Sequence, residues 1–119
     1  MAKRTQKVVK TEAAKPILHF AAPAKLLQQA QKRATKDAIN LSSRLRWGIQ
    51  AYLRGEFDVQ QYAVRLTGEV VPAGVRVTRE TWTAFAERCY ATGRPQVVVL
   101  RALLNAYVKG GLADDGLVS

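Results

Sequence analysis

Apolar residues recur at every second position in two short stretches of this chain, although the first stretch alternates only in part. They cover residues 16–22 and 72–78. A period of two is typical of a strand that buries one face and exposes the other. The side chains predicted to face inward are Leu18, Phe20, Ala22, Val75 and Val77. The sequence therefore predicts two amphipathic strands, one in each half of the chain.

Each predicted strand is followed by two segments with the spacing of amphipathic helices. The first pair covers about residues 24–36 and 41–54, and the second about residues 80–91 and 96–109. Each final helix ends in a basic residue and a glycine, which suits the negative end of a helix. The apolar stripes of the two leading helices consist of Leu27, Ala30 and Ala34, and of Trp82, Phe85, Ala86 and Cys89.

The final helix of each set carries the same pattern at a separation of 55 residues. Residues 45–55 and 100–110 both contain Leu-Arg, Ala-Tyr and a closing glycine, and five of the eleven positions are identical. A repeat of this length indicates a duplicated structural unit. We therefore expect two units, residues 15–55 and 72–110, that pack against each other. The aromatic residues predicted to fill their core are Trp47, Tyr52, Trp82, Phe85 and Tyr107.

Three further segments complete the predicted organisation. Residues 1–14 have no apolar periodicity and are expected to form a basic, flexible tail. Residues 56–71 are predicted to form a packed connector, and residues 111–119 a C-terminal tail. The connector is expected to contain a short helix whose apolar side is Val59, Tyr62, Ala63 and Leu66.

The net charge of +10 is distributed unevenly along the chain. Residues 1–15 carry +4, residues 16–55 carry +6 and residues 72–110 carry +4, whereas residues 56–71 and 111–119 each carry −2. A basic protein of this kind gains binding free energy from a polyanion, because contacts to phosphates release condensed counterions. The charge therefore favours a nucleic-acid partner, with an anionic membrane surface as the alternative.

The composition argues against an enzyme, a metal site and a membrane span. One cysteine, Cys89, and one histidine, His19, can form neither an internal disulfide nor a zinc site. The chain has no glycine-rich phosphate loop, and Asp114 and Asp115 lie in the predicted tail, so we expect no catalytic residues and no cofactor. No apolar run reaches the roughly 18 residues of a transmembrane helix. The expected setting is the cytoplasm, without membrane contact.

The second unit resembles the ribbon-helix-helix superfamily. The resemblance covers about residues 74–110 and rests on VRVTRE at 75–80, GRP at 93–95, LRA at 100–102 and Tyr107. The strand of the first unit matches weakly, because Ala21 stands where a polar residue is expected. In this family two chains pair their strands into an antiparallel ribbon that enters the DNA major groove. The resemblance implies a mostly helical α+β fold, with two ribbon-helix-helix units forming a single-chain pseudo-dimer that is a monomer in solution.

The predicted DNA contacts lie on the ribbon and at the start of each final helix. Outward-facing strand residues can contact base edges, and the free N–H groups at a helix N-terminus favour a phosphate. Lys15, before the first strand, is predicted to contact a phosphate. The predicted ribbon contacts are His19, Ala21, Gly74 and Arg76, and those at the helix starts are Asn40, Ser42, Ser43, Arg94 and Gln96.

Two alternatives stay open at this stage. Arg46 and Arg101 recur 55 residues apart, and either orient toward the DNA backbone or only solvate a helix face. A helical interaction module at a membrane surface is a competing class, which the repeated strand–helix–helix pattern disfavours.

The resemblance implies sequence-preferring binding to double-stranded DNA. The tandem organisation is similar to superfamily members that assist conjugative or T-DNA transfer, so an accessory role in transfer is expected. A transcriptional repressor or a plasmid partition protein is the alternative. Such roles imply other DNA-processing or partition proteins as further partners. Because the two units differ in sequence, the expected DNA site is asymmetric.

Overall fold

Residues 16–112, which the computed structural model describes, form two strands and four α-helices. The elements in chain order are β1 (Ile17–Pro23), α1 (Ala24–Asp37), α2 (Leu41–Leu53), β2 (Val70–Arg76), α3 (Arg79–Thr92) and α4 (Gln96–Val108). The two strands pair into one antiparallel sheet. The predicted α+β, mostly helical class is confirmed. Lys15 and most of the predicted tails lie outside the described residues.

The helix boundaries repeat with the separation found in the sequence. Helices α1 and α3 both have 14 residues and begin 55 positions apart, at Ala24 and Arg79. Helices α2 and α4 both have 13 residues and begin at Leu41 and Gln96, again 55 positions apart. Residues separated by 55 positions are called counterparts below.

The register of the sheet follows the same separation. His19 pairs with its counterpart Gly74, so two equivalent positions lie opposite each other in the ribbon formed by β1 and β2. Beyond the ends of the strands, the Val77 N–H donates to the Pro16 carbonyl at 3.0 Å. At the other end, the Ala24 N–H donates to the Glu69 carbonyl at 2.8 Å.

The two prolines of the ribbon occupy positions that need no cross-strand N–H. Hydrogen-bonded pairs alternate with non-hydrogen-bonded pairs along an antiparallel ladder. Counting from the Val77–Pro16 bond, Pro23 and Pro72 both fall in non-hydrogen-bonded pairs. An N–H at these two positions would point away from the partner strand, so proline removes no ladder bond.

One face of the ribbon is buried under the helices. These helices pack between the two halves of the chain. Leu18, Phe20, Ala22, Val75 and Val77 are all buried, which confirms the predicted inward face. Helix α1 packs against α4, and α2 packs against α3, so the leading helix of each half contacts the final helix of the other. Strand β1 lies against α4 and β2 against α2. A single hydrophobic core therefore joins both halves.

The predicted apolar stripes of α1 and α3 are shifted around each helix. Leu26 is buried in α1, while Leu27 is only partly buried. In α3, Phe85 and Cys89 are buried, but the side chain of Trp82 is 38% exposed. The placement of Trp82 in the core is wrong, because the buried face of α3 runs through Phe85 and Cys89 and leaves the indole at its margin. The core positions of Tyr52, Phe85 and Tyr107 are confirmed, and Trp47 is partly buried.

The connector contains one 3₁₀ turn, Gln60–Tyr62, instead of the predicted short helix. The Asp58 carboxylate caps this turn by accepting the N–H groups of Gln60 and Gln61 at 3.0 and 3.3 Å. The ring of Phe57 stacks on Tyr62 with centroids 5.7 Å apart. The residues predicted to form one apolar side of this helix do not share a buried face, because Val59 is buried whereas Ala63 and Leu66 are exposed.

The residues directly after α4 extend the core. Leu112 is 2% exposed, and its carbonyl accepts a hydrogen bond from the buried Arg44 guanidinium at 2.9 Å. The Gly111 N–H donates to the Ala106 carbonyl at 2.7 Å and folds the chain back over the helix end. The part of the predicted C-terminal tail that the structure describes is therefore packed.

Ala38, which caps the C-terminus of α1, has a left-handed backbone with φ of 58°. Its counterpart Gly93 caps α3 with φ of 71°. A left-handed conformation costs a residue with a Cβ about 1 kcal/mol relative to glycine. Ala38→Gly is therefore expected to raise the free energy of unfolding by about 1 kcal/mol in urea titrations. The reciprocal Gly93→Ala variant should lower it, and equal stability of both variants would contradict this interpretation.

Candidate nucleic-acid interface

The face of the ribbon that points away from the core is accessible. His19, Gly74 and Arg76 are exposed and Ala21 is partly exposed, as the alternation predicts. The pairs across this face are Ile17 with Arg76, His19 with Gly74, Ala21 with Pro72, and Pro23 with Val70. The four residues predicted to contact base edges therefore share one surface, named the outer ribbon face below.

The outer ribbon face has its polar side chains toward one end. Arg76 lies at the end beside Ile17, and His19 lies in the next pair of this face, beside Gly74. Both groups offer hydrogen bonds, and an arginine guanidinium presents five N–H donors in a fixed geometry. The other end of the same face carries apolar side chains, so the two ends differ in chemistry.

The N-terminus of α2 lies beside the ribbon. A shallow depression is lined by Ser42 from α2 together with His19, Pro72, Gly74 and Arg76 from the ribbon. The first N–H groups of a helix have no intrahelical acceptor and form its positive end. The structure thus brings one predicted phosphate position next to the predicted base contacts.

Two of the residues predicted at this helix start have structural partners. The Asn40 side-chain carbonyl accepts the Ser43 N–H at 3.1 Å, which is an N-cap interaction. The Ser43 hydroxyl accepts a hydrogen bond from the Arg46 guanidinium at 2.9 Å. Asn40 therefore stabilises the helix, and Ser42 is the residue of this set that faces the ribbon depression.

The N-terminus of α4 is built differently. Pro95 occupies the cap position and makes no side-chain cap hydrogen bond. Its carbonyl accepts the Val98 N–H at 3.1 Å. Arg94 and Gln96 are partly buried. The two helix starts are therefore unequal, since the counterpart of Ser42 in α4 is Val97.

Arg46 and Arg101 contact the backbone of the ribbon. This role differs from both roles considered from the sequence, which were contact with the DNA backbone and solvation of a helix face. The Arg46 Nη1 donates to the Arg76 carbonyl at 3.1 Å. The Arg101 Nε donates to the Ala21 carbonyl at 2.7 Å. Ala21 and Arg76 are themselves counterparts, so the same contact occurs twice. These two arginines fix the final helices to the strand of the other half, and their recurrence in the sequence was the signal for this role.

The buried tyrosines also make matching contacts. The Tyr107 hydroxyl donates to the Asp37 carboxylate at 3.1 Å, and the Tyr52 hydroxyl lies 3.1 Å from Thr92 Oγ1. Burial is the main cause that raises the pKa of both phenols above its ordinary value. Both hydroxyls are therefore protonated at neutral pH, and they hold α4 to α1 and α2 to α3.

Two arginines cover the same tyrosine rings. The Arg33 guanidinium lies 5.5 Å from the Tyr107 ring centroid, and its counterpart Arg88 lies 5.6 Å from the Tyr52 ring centroid. Cation–π contacts of this length are attractive. Arg33 also donates to the Val108 carbonyl at 3.0 Å. These cations therefore stabilise the contacts between the halves.

Burial raises the pKa of the Cys89 thiol, so this cysteine is a poor nucleophile at neutral pH. Among residues 16–112, no three histidine, cysteine or acidic side chains are grouped in a way that could hold a metal ion. None of the described helices is both long and apolar enough to cross a membrane. Comparison of the chain with protein-family models, curated proteins and solved structures finds no match.

Proposed function

We propose that this protein binds double-stranded DNA with sequence preference, as a single-chain pseudo-dimer of two ribbon-helix-helix units. The observation that carries the proposal is the outer ribbon face, which is accessible, contains one pair of counterparts opposite each other, and carries His19 and Arg76. The DNA major groove is about 12 Å wide and accepts a two-stranded ribbon. In this arrangement the outward side chains meet the base edges.

The repeated contacts between the two halves support the pseudo-dimer. Three kinds of contact each occur twice at counterpart positions: the arginine bonds to the ribbon, the tyrosine hydroxyl bonds and the arginine–tyrosine contacts. A homodimer would form such pairs between two chains, whereas here both partners belong to one chain. The proposed protein is therefore a monomer of 13.1 kDa that needs no second copy to complete its ribbon.

The charge of the chain supplies the sequence-independent part of the proposed affinity. A net charge of +10 attracts the duplex, and each phosphate contact releases counterions. Sequence preference requires contacts to bases in addition. Arg76 is the strongest candidate, because an arginine can donate two hydrogen bonds to O6 and N7 of a guanine.

Replacing Arg76 by alanine is expected to reduce the discrimination between a selected duplex and its scrambled version by about tenfold. This corresponds to the lower part of the range for one bidentate arginine–guanine contact. Both affinities should be measured by fluorescence anisotropy at one fixed salt concentration. The selected duplex would come from a random library bound by the wild-type protein.

The matched control is Arg65→Ala, since Arg65 is an exposed cation of the connector, outside the ribbon. It removes the same charge and should weaken binding to both duplexes by the same small factor. Equal discrimination by Arg76→Ala and the wild type would contradict the proposed base contact. Binding to anionic vesicles in preference to any duplex would support the membrane-surface alternative.

For the biological role we propose an accessory factor in conjugative or T-DNA transfer, with the tandem organisation as the support. A transcriptional repressor or a plasmid partition protein would use the same ribbon. The positions of the bound sites distinguish these roles. Sites beside a transfer origin or T-DNA border favour the accessory role, whereas sites over promoters or partition loci contradict it.

A further inference from the structure

We propose that the outer ribbon face binds an asymmetric site, with a guanine at the Arg76 end and a thymine methyl group at the Ala21–Pro72 end. This inference rests on the proposed binding of duplex DNA and specifies which chemistry each end of the ribbon contacts. It follows from the register of the strands and from the identity of the exposed side chains.

The guanine end is defined by the pair of Ile17 and Arg76. Arg76 is exposed, and its backbone is held in place by the bond from Arg46 to its carbonyl. An exposed arginine on a fixed strand can present its guanidinium to the two acceptors that guanine offers in the major groove. The counterpart position in β1 is Ala21, so the ribbon cannot offer the same contact at its other end.

The opposite end is apolar on both strands. Ala21 pairs with Pro72, and Pro23 pairs with Val70, whose side chain is 45% exposed. Apolar side chains that displace water from a base edge form no hydrogen bonds in its place. The donors and acceptors of the base would then lack partners, which is unfavourable. The thymine C5-methyl group is the one apolar group on the base edges of the major groove. This end therefore favours thymine.

The two ends have a fixed separation. Ala21 follows Ile17 by four positions along β1, which corresponds to roughly 14 Å of strand between the two pairs. Base pairs stack at about 3.4 Å, so this length matches about four base pairs along the groove. The inferred site therefore has guanine and thymine contacts about four base pairs apart.

The first test uses duplexes with single-atom or single-group changes. A duplex selected by the wild type from random 20-base-pair sequences is resynthesised with 7-deazaguanine or with deoxyuridine at one position at a time. We expect 7-deazaguanine at one end and deoxyuridine at the other to weaken binding about fivefold each. For Arg76→Ala, the 7-deazaguanine effect should vanish while the deoxyuridine effect stays.

A second test reverses the asymmetry. Ala21→Arg places arginines at both counterpart positions, so selection with this variant should yield inverted repeats with guanine at each end. Selection of an inverted repeat by the wild type would overturn the inference while leaving duplex binding intact. So would an undiminished affinity for every deoxyuridine duplex. Absence of any duplex preference in the wild type would overturn the proposed function, and with it this inference.

Discussion

Phe85→Ala is expected to lower the free energy of unfolding by about 3 to 5 kcal/mol, the usual cost of truncating a buried phenylalanine. The Phe85 side chain has no exposed surface, and its ring meets Tyr52 edge to face at a centroid distance of 5.7 Å. The counterpart of Phe85 is Ala30, so the other half contributes no ring that could fill the resulting cavity. Urea titration followed by far-UV circular dichroism measures the change.

Trp82→Ala provides the control on the same helix. This side chain is larger but 38% exposed, so its removal is expected to cost less than that of Phe85. Comparing the stability losses of the two variants shows which side of α3 is buried in the core and which lies at its edge. A larger loss for Trp82→Ala than for Phe85→Ala would contradict the described packing.

Gly48→Leu is expected to destabilise the protein by about 3 kcal/mol, since extra atoms in a filled core force neighbouring side chains aside. A Cβ at position 48 would lie 2.8 Å from Leu103 Cδ2 and 3.1 Å from Leu112 Cδ1. Leu103 is fully buried and is the counterpart of Gly48. Helices α2 and α4 therefore meet at one position with a small residue on one side and a large one on the other.

A double-mutant cycle tests this pairing directly. Leu103→Ala alone leaves a cavity, but combined with Gly48→Leu it makes room for the new side chain. The double variant is therefore expected to be at least about 1 kcal/mol more stable than the sum of the single changes predicts. Additive effects would show that positions 48 and 103 do not share one space.

Local signals in the sequence were sufficient to predict most of the secondary structure. The period-2 stretches gave both buried strand faces, and the glycines and caps gave helix ends within one or two residues of those observed. The repeat at 55 positions indicated two corresponding units, and their corresponding helices have equal lengths in the structure. These features depend on neighbouring residues, and tertiary packing changes them little.

Features that depend on distant contacts were not predictable in the same way. Trp82 has helical spacing with Phe85, but only the packing of α3 on α2 decides which side of the stripe is covered. The apolar residues of the connector are spaced as in an amphipathic helix. The connector instead forms a single 3₁₀ turn, beside which Phe57 stacks on Tyr62. The bonds from Arg46 and Arg101 to the ribbon join residues 30 and 80 positions apart, beyond the reach of local patterns.

In the candidate site, too, some features could be predicted from local sequence and others depended on the three-dimensional structure. Alternation along the strands placed His19, Ala21, Gly74 and Arg76 on one face, as observed. The type and position of Asn40 fit both a helix cap and a phosphate-binding residue, and the hydrogen bond from the Ser43 N–H confirms the cap. Geometry was needed to separate the two roles.

The arginine bonds to the ribbon have a consequence for solubility. A two-stranded sheet has an open edge on each side, and open edges can recruit strands from other molecules. On the β1 edge Pro23 lacks an N–H and the Ala21 carbonyl is occupied by Arg101. On the β2 edge Pro72 lacks an N–H and the Arg76 carbonyl is occupied by Arg46. Each edge thus loses one donor and one acceptor, which disfavours the addition of a third strand and counteracts aggregation of an exposed ribbon.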